Sequence, residues 1–409
     1  MQADFVLLVF VVTYAGVAVG QIRGLELDRT GIALVGALLL LISGSIGLDD
    51  AIRAIDFPTI LTLFGLMVLS AQLRLAGFYT LVAEKLAGHL ARPAWFLFLL
   101  MTVAGTLSAV LVNDVVCLAF TPIITPALIR RGLNPVPFLV GLACASNIGS
   151  AATTIGNPQN ILIAQTSSLS FGPFLLWCIT PVALSLAAAY GIIWFLSRKV
   201  FHQVDPAQPP LEEVAEPALD RHQMIKGLVA TLIMIVLFLT PFPHELAALV
   251  AATIVLFSRR IPSGDLLARV DGPLIVLFCS LFVVVGAFVQ TGLPEQAMKG
   301  LGTAGVDLQN LYLLSGATVL LSNLISNVPA VLLLLQLLPI ETATTGYVLA
   351  LASTFAGNLI LVGSIANLIV AEQARPFGVK IRFTTFARYG IPVTLASLAL
   401  LAIWIGLAA

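Results

Sequence analysis

The chain has 409 residues, a net charge of zero, 59% hydrophobic and only 10% charged residues, and a mean hydropathy of +1.05. Soluble domains carry roughly 25% charged residues, so the composition excludes an ordinary water-soluble globule, and the lack of any basic excess argues against a nucleic-acid partner. An all-helical integral membrane protein is expected, with the lipid bilayer as its solvent.

A spanning helix needs about 20 apolar residues, fewer where tilt or flanks help. In chain order, runs at 5–19, 31–48 and 58–77 predict the first spans. The first run lacks a preceding basic stretch and a small-residue cleavage site, so it reads as a span and not as a signal peptide. Next comes an apolar stretch from 95 to 128, interrupted only by Asn113-Asp114 and flanked by Arg92 and Arg130. Basic residues at both ends predict a hairpin that enters and leaves on one side of the membrane. Asp114 is the only acid deep inside an apolar stretch. Burying a charge there costs several kcal/mol, from about 2.5 upward, so an intramembrane carboxylate signals function.

Residues 145–160 sit in the middle of the next span and read Ala-Ser-Asn-Ile-Gly-Ser-Ala-Ala-Thr-Thr-Ile-Gly-Asn-Pro-Gln-Asn. Glycine, asparagine, serine and threonine together with Pro158 predict a broken helix, which is tolerated at membrane depth only where it lines a cavity. A further span follows at 174–196, and then a polar, proline-containing segment at 198–223 that reads as a solvated linker. Beyond it, spans are expected at 225–239, 246–257, 273–290 and 389–407. A second hairpin is expected at 308–339 with its polar tip at Ser322-Asn323 and Ser326-Asn327, and a second broken helix at 353–364.

The two halves repeat. Asp56-Phe57-Pro58 and Asp271-Gly272-Pro273 each open a span, 215 residues apart. Asn113 pairs with Asn327, and the string Gly156-Asn157-Pro158-Gln159-Asn160 pairs with Gly363-Ser364-Ile365-Ala366-Asn367, 207 residues apart. The halves are thus 1–197 and 224–409, joined by the linker 198–223, each with five spans and one hairpin. An odd number of crossings inverts the second copy, and internal repeats of this kind mark secondary transporters. With a cytoplasmic linker and both termini outside, all basic residues but Arg53 and Lys299 fall inside, as the positive-inside rule requires. Half-helix N-termini then present donors to an oxyanion, and unwound carbonyls present oxygens to a cation. The candidate binding residues are Asn113, Asp114, Ser146, Asn147, Gly149, Thr153, Gly156, Asn157, Asn160, Ser326, Asn327, Asn358, Gly363, Ser364 and Asn367.

The four cysteines show no CxxC spacing and the four histidines form no ligand cluster. No metal site and no cofactor are expected, and no GxxxxGK[ST] nucleotide loop occurs. The chain reads as a carrier and not an enzyme.

Val112-Asn113-Asp114 with Thr121-Pro122, the 145–160 string, Ser326-Asn327-Val328-Pro329, and Gly357-Asn358 with residues 363–368 resemble the ion-transporter superfamily. Its members include arsenite/antimonite efflux carriers, sodium/proton antiporters and divalent anion–sodium symporters. The Asn-Asp order of the first tip, and the asparagine followed closely by proline in the second, are similar to the arsenite carriers, although Val115 stands where those usually have glycine. The resemblance implies an inner-membrane carrier that exports arsenite or antimonite in exchange for protons. Asp114 would carry the proton, because a carboxyl in a desolvated site can load and release one. It would also repel a dianion, with no basic residue at depth to compensate. Arsenous acid, neutral at cytoplasmic pH, offers hydroxyls to Asn, Ser and Thr. A sodium/proton antiporter and a carboxylate or other anion symporter are the alternatives, the former using Asp114, Asn113, Asn147 and free carbonyls as sodium ligands. A channel, or a carrier subunit energised by an arsenite-stimulated ATPase partner, is the alternative of a different class.

Overall fold

The computed structural model describes residues 2–20, 26–201, 219–303, 307–338, 340 and 342–408. Arg23, His202, Pro339 and the linker stretch 202–218 lie outside the described residues. The first half runs α1 (Gln2–Val19), α2 (Arg29–Ile42), α3 (Leu48–Ala54), α4 (Phe57–Leu75), α5 (Phe78–Ala87), α6 (Pro93–Val110), α7 (Asn113–Arg130), α8 (Pro135–Ser150), α9 (Pro158–Thr166) and α10 (Phe171–Ser197). The second runs α11 (Arg221–Phe238), α12 (His244–Leu256), α13 (Ser263–Leu267), α14 (Gly272–Gln290), α15 (Leu293–Thr303), α16 (Leu311–Ile325), α17 (Asn327–Leu337), α18 (Ala343–Ala356), α19 (Ile365–Ala374) and α20 (Phe383–Ala408). The ten elements of one half match the ten of the other in order.

The repeat extends to individual hydrogen bonds. Asp56 caps α4 by accepting from Thr59 N at 3.2 Å, and Asp271 caps α14 by accepting from Leu274 N at 3.0 Å. Both helices carry proline in their first turn, where the missing N–H costs nothing. Asn160 Nδ2 donates to Ser150 O (3.3 Å) and Thr153 O (2.9 Å), while Asn367 Nδ2 donates to Gly357 O (2.8 Å) and Ile360 O (3.3 Å). In each half one asparagine thus ties up the carbonyls that the helix break frees.

Each half lends its first two helices to the other. α2 packs on α14 and α12 packs on α4. Thr30 Oγ1 donates to Pro273 O at 3.3 Å, and Gln72 Nε2 donates to Gln223 Oε1 at 2.9 Å across α4 and α11. The remaining helices form the body around the breaks, with α10 along α20, where Ser197 Oγ donates to Tyr389 Oη at 3.3 Å.

α6 and α7 are 18 residues each, about 27 Å at the rise of an α-helix, so by length either could span. They do not cross, because their tip stops at the break between α8 and α9, where Asn113 N donates to Gly156 O at 3.1 Å. The second tip meets the other break in the same way. The Asn327 amide nitrogen donates to Ser353 O at 3.2 Å and to Gly363 O at 3.3 Å. Both segments are therefore re-entrant hairpins.

Two details differ from expectation. α11 begins at Arg221, inside the stretch read as linker, because Asp220 caps it by accepting from His222 N at 3.0 Å and Gln223 N at 3.2 Å. The short helices α3, α5, α13 and α15 lie where the sequence pattern shows only connections between spans.

Candidate functional site

Four helices start at one small cavity. Its walls are Asn113 and Asp114 of α7, Pro158 and Gln159 of α9, Asn327 and Val328 of α17, and Ser364 and Ile365 at the start of α19, closed by Ser326 and Leu274. The cavity measures about 30 Å³. Each helix N-terminus carries about half a positive charge from its aligned peptide dipoles. The helices break here because Asn157 (φ −152°) and Ser364 (φ −143°) are extended caps between the half-helices.

Ser326 is the single residue that turns α16 into α17, and it does so at φ 77°. That backbone conformation is costly for a residue with a side chain, and such strain gathers at binding sites. The equivalent turn in the first hairpin, Leu111-Val112, has ordinary negative φ values.

The expected site residues divide by environment. Asn113, Asp114, Ser326, Asn327 and Ser364 line the cavity. Asn147, 2% exposed, is the hub of a buried network just behind it. Its Oδ1 accepts from Asn113 Nδ2 and Ser364 Oγ, both at 3.1 Å, and its Nδ2 donates to Asn358 Oδ1 (2.8 Å) and Asn367 Oδ1 (3.0 Å). All four hydrogen-bonding positions of this amide are used, so Asn147 joins the two halves and has nothing left for a ligand. Ser146 Oγ donates to Asn113 O at 3.0 Å and meets Ser108 Oγ at 2.7 Å. Asn157 Nδ2 donates to Ser150 Oγ (2.9 Å) and Thr354 Oγ1 (3.2 Å), and Thr354 Oγ1 donates to Asn160 Oδ1 at 3.4 Å. Thr153 Oγ1 donates to Ala109 O, tying the break to the end of α6.

The three glycines act by close approach. A Cβ on Gly149 would lie 2.3 Å from Gly105 Cα, so Gly149 lets α8 cross α6 and does not face the cavity. Gly156 and Gly363 bring the unwound strands against the residues that flank each break. Ser108, Thr354 and Gln159 also belong to this buried polar region, outside the residues expected from sequence. Their polarity inside apolar or small-residue segments was the available signal.

Among the residues that line the cavity, one buried acceptor is without a partner. Asn113 is 5% exposed and its Oδ1 has no hydrogen-bond partner, although the residue lines the cavity. Leaving a buried acceptor unpaired costs about 1–3 kcal/mol, and a donor in the cavity, whether water or a hydroxylated ligand, would satisfy it. The Ser150, Thr153, Gly156, Gly357 and Ile360 carbonyls freed at the breaks each accept a hydrogen bond from Asn160, Asn113 or Asn367. A far larger hollow of about 640 Å³ lies elsewhere, between residues 164–173 and 238–245, and holds none of the broken-helix residues.

Inverted repeats, paired hairpins and half-helices meeting at a buried polar cavity define a multi-pass secondary transporter. The chain belongs to the CitMHS family, described as citrate transporters, whose model matches residues 5–347. It is 32% identical to an uncharacterized transporter of Mycobacterium tuberculosis over 98% of this chain and 97% of that one. It is 29% identical to the silicon efflux transporter LSI3 of Oryza sativa subsp. japonica, covering 92% of each. A Dictyostelium discoideum transporter designated arsB is 24% identical over 91% of this chain and 86% of its own. The fold matches the crystal structure of the Alcanivorax borkumensis YdaH transporter with a TM-score of 0.58 at 15% identity, covering 99% and 98% of the two chains.

Proposed function

We propose that this protein exports a small, neutral, hydroxylated metalloid acid, arsenite or antimonite in the first instance, across the inner membrane in exchange for protons. The observation that carries this reading is the cavity's mixed chemistry. Four positive helix ends disfavour a bare cation, and the Asp114 carboxylate disfavours a dianion. A molecule that both accepts from the helix N-termini and donates to Asp114 and Asn113 Oδ1 fits, and a neutral polyhydroxide does both. The cavity of about 30 Å³ suits a molecule of that size far better than a tricarboxylate. The family's description as citrate transporters favours a carboxylate as the second reading. The rice relative, named for silicon efflux, supports the hydroxide class.

Asp114 loads the exchanged proton in this scheme. The faces bearing Arg74, Arg130, Arg198 and Arg269 are cytoplasmic under the positive-inside rule, as is the linker. No nucleotide or cofactor is needed, and an ATPase subunit would be an accessory. The test is flux in proteoliposomes under imposed gradients. Arsenite flux should follow the pH gradient, ignore sodium, resist competition by citrate or succinate, and vanish in D114N with folding intact. Absent arsenite flux, or carboxylate flux that needs sodium, refutes the reading.

A further inference from the structure

Asp114 has a second opening. The residue lines the central cavity and also a separate one of about 80 Å³. Arg74 in the last turn of α4, Arg269 and Asp271 just before α14, and Leu118 of α7 wall this second space. Arg269 and Asp271 are exposed, while Arg74 and Asp114 are half-buried, so the cavity runs from solvent to the carboxyl. Asp114 and Leu274 alone line both cavities and form the partition between them.

The charges here are arranged asymmetrically. Asp271 uses Oδ1 to cap α14, and the carboxylate lies within electrostatic reach of Asp114. The ion pair found among the described residues is Arg260–Asp220, so Arg74 and Arg269 face one another without an acid bonded to either. The repeat does not reproduce this path, because Val328 stands where Asp114 would be. Other titratable groups on α7 and the elements packed against it are Cys117 and Arg130 of α7 itself, Cys144 of α8, Tyr79, Glu84 and Lys85 of α5 and Glu372 of α19. None of these lines either cavity.

We propose that this second cavity is the proton exit from the binding site and that Asp271 is the outer member of a two-carboxylate relay. The inference rests on the reading that Asp114 carries the exchanged proton. The O–H bond of Asp114 breaks as its proton passes to a water in the cavity. That water passes a proton to the free oxygen of Asp271, which releases it to bulk solvent and is ionised again. Arg74 and Arg269 repel metal cations from the mouth.

The test uses the full chain. D271N keeps the helix cap, since asparagine caps as well as aspartate. Arsenite exchange at equal pH on both sides needs no net proton movement and should stay within about twofold of the parent in D271N, while net flux driven by a pH gradient should fall about tenfold or more. D271E should restore it. D56N, the same cap at the equivalent helix start in the other half, should change neither. Equal behaviour of D271N and D56N, or loss of exchange together with net flux, overturns the relay. A second readout needs no substrate. The Asp114 carboxyl is the infrared band lost in D114N, and its hydrogen–deuterium exchange should slow about tenfold in D271N. An unchanged rate overturns the relay even if the protein carries arsenite. A slowed rate upholds it even if arsenite is not the substrate.

Discussion

Replacing Gly156 with alanine tests whether close backbone contact holds the break open. An added Cβ would fall 2.2 Å from Ser150 O, 2.7 Å from Ser150 Cα and 2.8 Å from Ser108 O. All three are backbone atoms, so no rotamer change relieves the clash, and either the last turn of α8 or α6 must move. Gly156 O also accepts from Asn113 N at 3.1 Å, so the hairpin tip moves with it. Overpacking costs about 1–3 kcal/mol even where side chains can yield, and a lost buried hydrogen bond adds about 1 kcal/mol. G156A should therefore lose about 3 kcal/mol or more, roughly a hundredfold in the folded-to-unfolded ratio. The equivalent glycine is a built-in control. A Cβ on Gly363 would meet Asn323 Oδ1 and Gly357 O at 3.1 Å each, which a shift of a few tenths of an ångström relieves. G363A should cost only about 1 kcal/mol, the low end of the overpacking range. Thermal unfolding in detergent followed by size exclusion, with transport measured on the folded fraction, reads both variants. Equal losses in the two, or a G156A protein as stable as the parent, would refute the argument that backbone contact shapes the first break.

N160A and N367A should each destabilise by about 1–3 kcal/mol, because each removes the donor that satisfies two carbonyls freed by a helix break. Chemical unfolding of the two variants should show similar losses, and a negligible loss in either would mean that water takes over those carbonyls. Asp220 titrates outside the membrane. The Gln223 N–H and then Arg260 hold its carboxyl below the usual carboxylate range. With a depressed folded value, its contribution is present above the unfolded value and disappears as pH falls through the folded one. Amide protection at the start of α11 should therefore hold from neutral pH down to the ordinary carboxylate range and be lost progressively as pH falls from there through the folded value. D220N should lack that pH dependence.

The sequence by itself determined the bilayer setting, the broken helices and the order of the two repeats. These follow from local properties: apolar run length, the Gly-Asn-Pro strings, and Asp-x-Pro openings that recur at Pro58 and Pro273. It also singled out Asn113 and Asp114, because polar residues in a hydrocarbon setting stand out without any knowledge of partners. What it left open was which polar residues face a ligand. Asn147 and Asn113 look alike in sequence, yet Asn147 is consumed by partners as far as 220 residues away, while Asn113 keeps a free acceptor. The flanking Arg92 and Arg130 already marked α6 and α7 as a hairpin, but only tertiary structure decided where its tip stops, at the contact of Asn113 with Gly156. The same holds for Asp271, which reads as a plain helix cap in sequence and comes to wall one cavity with Asp114 only once the starts of α7 and α14 are brought to it by the fold. Helix, break and burial are set by residues a few positions apart, whereas the cavity is made by four helix ends that packing of the whole chain brings together.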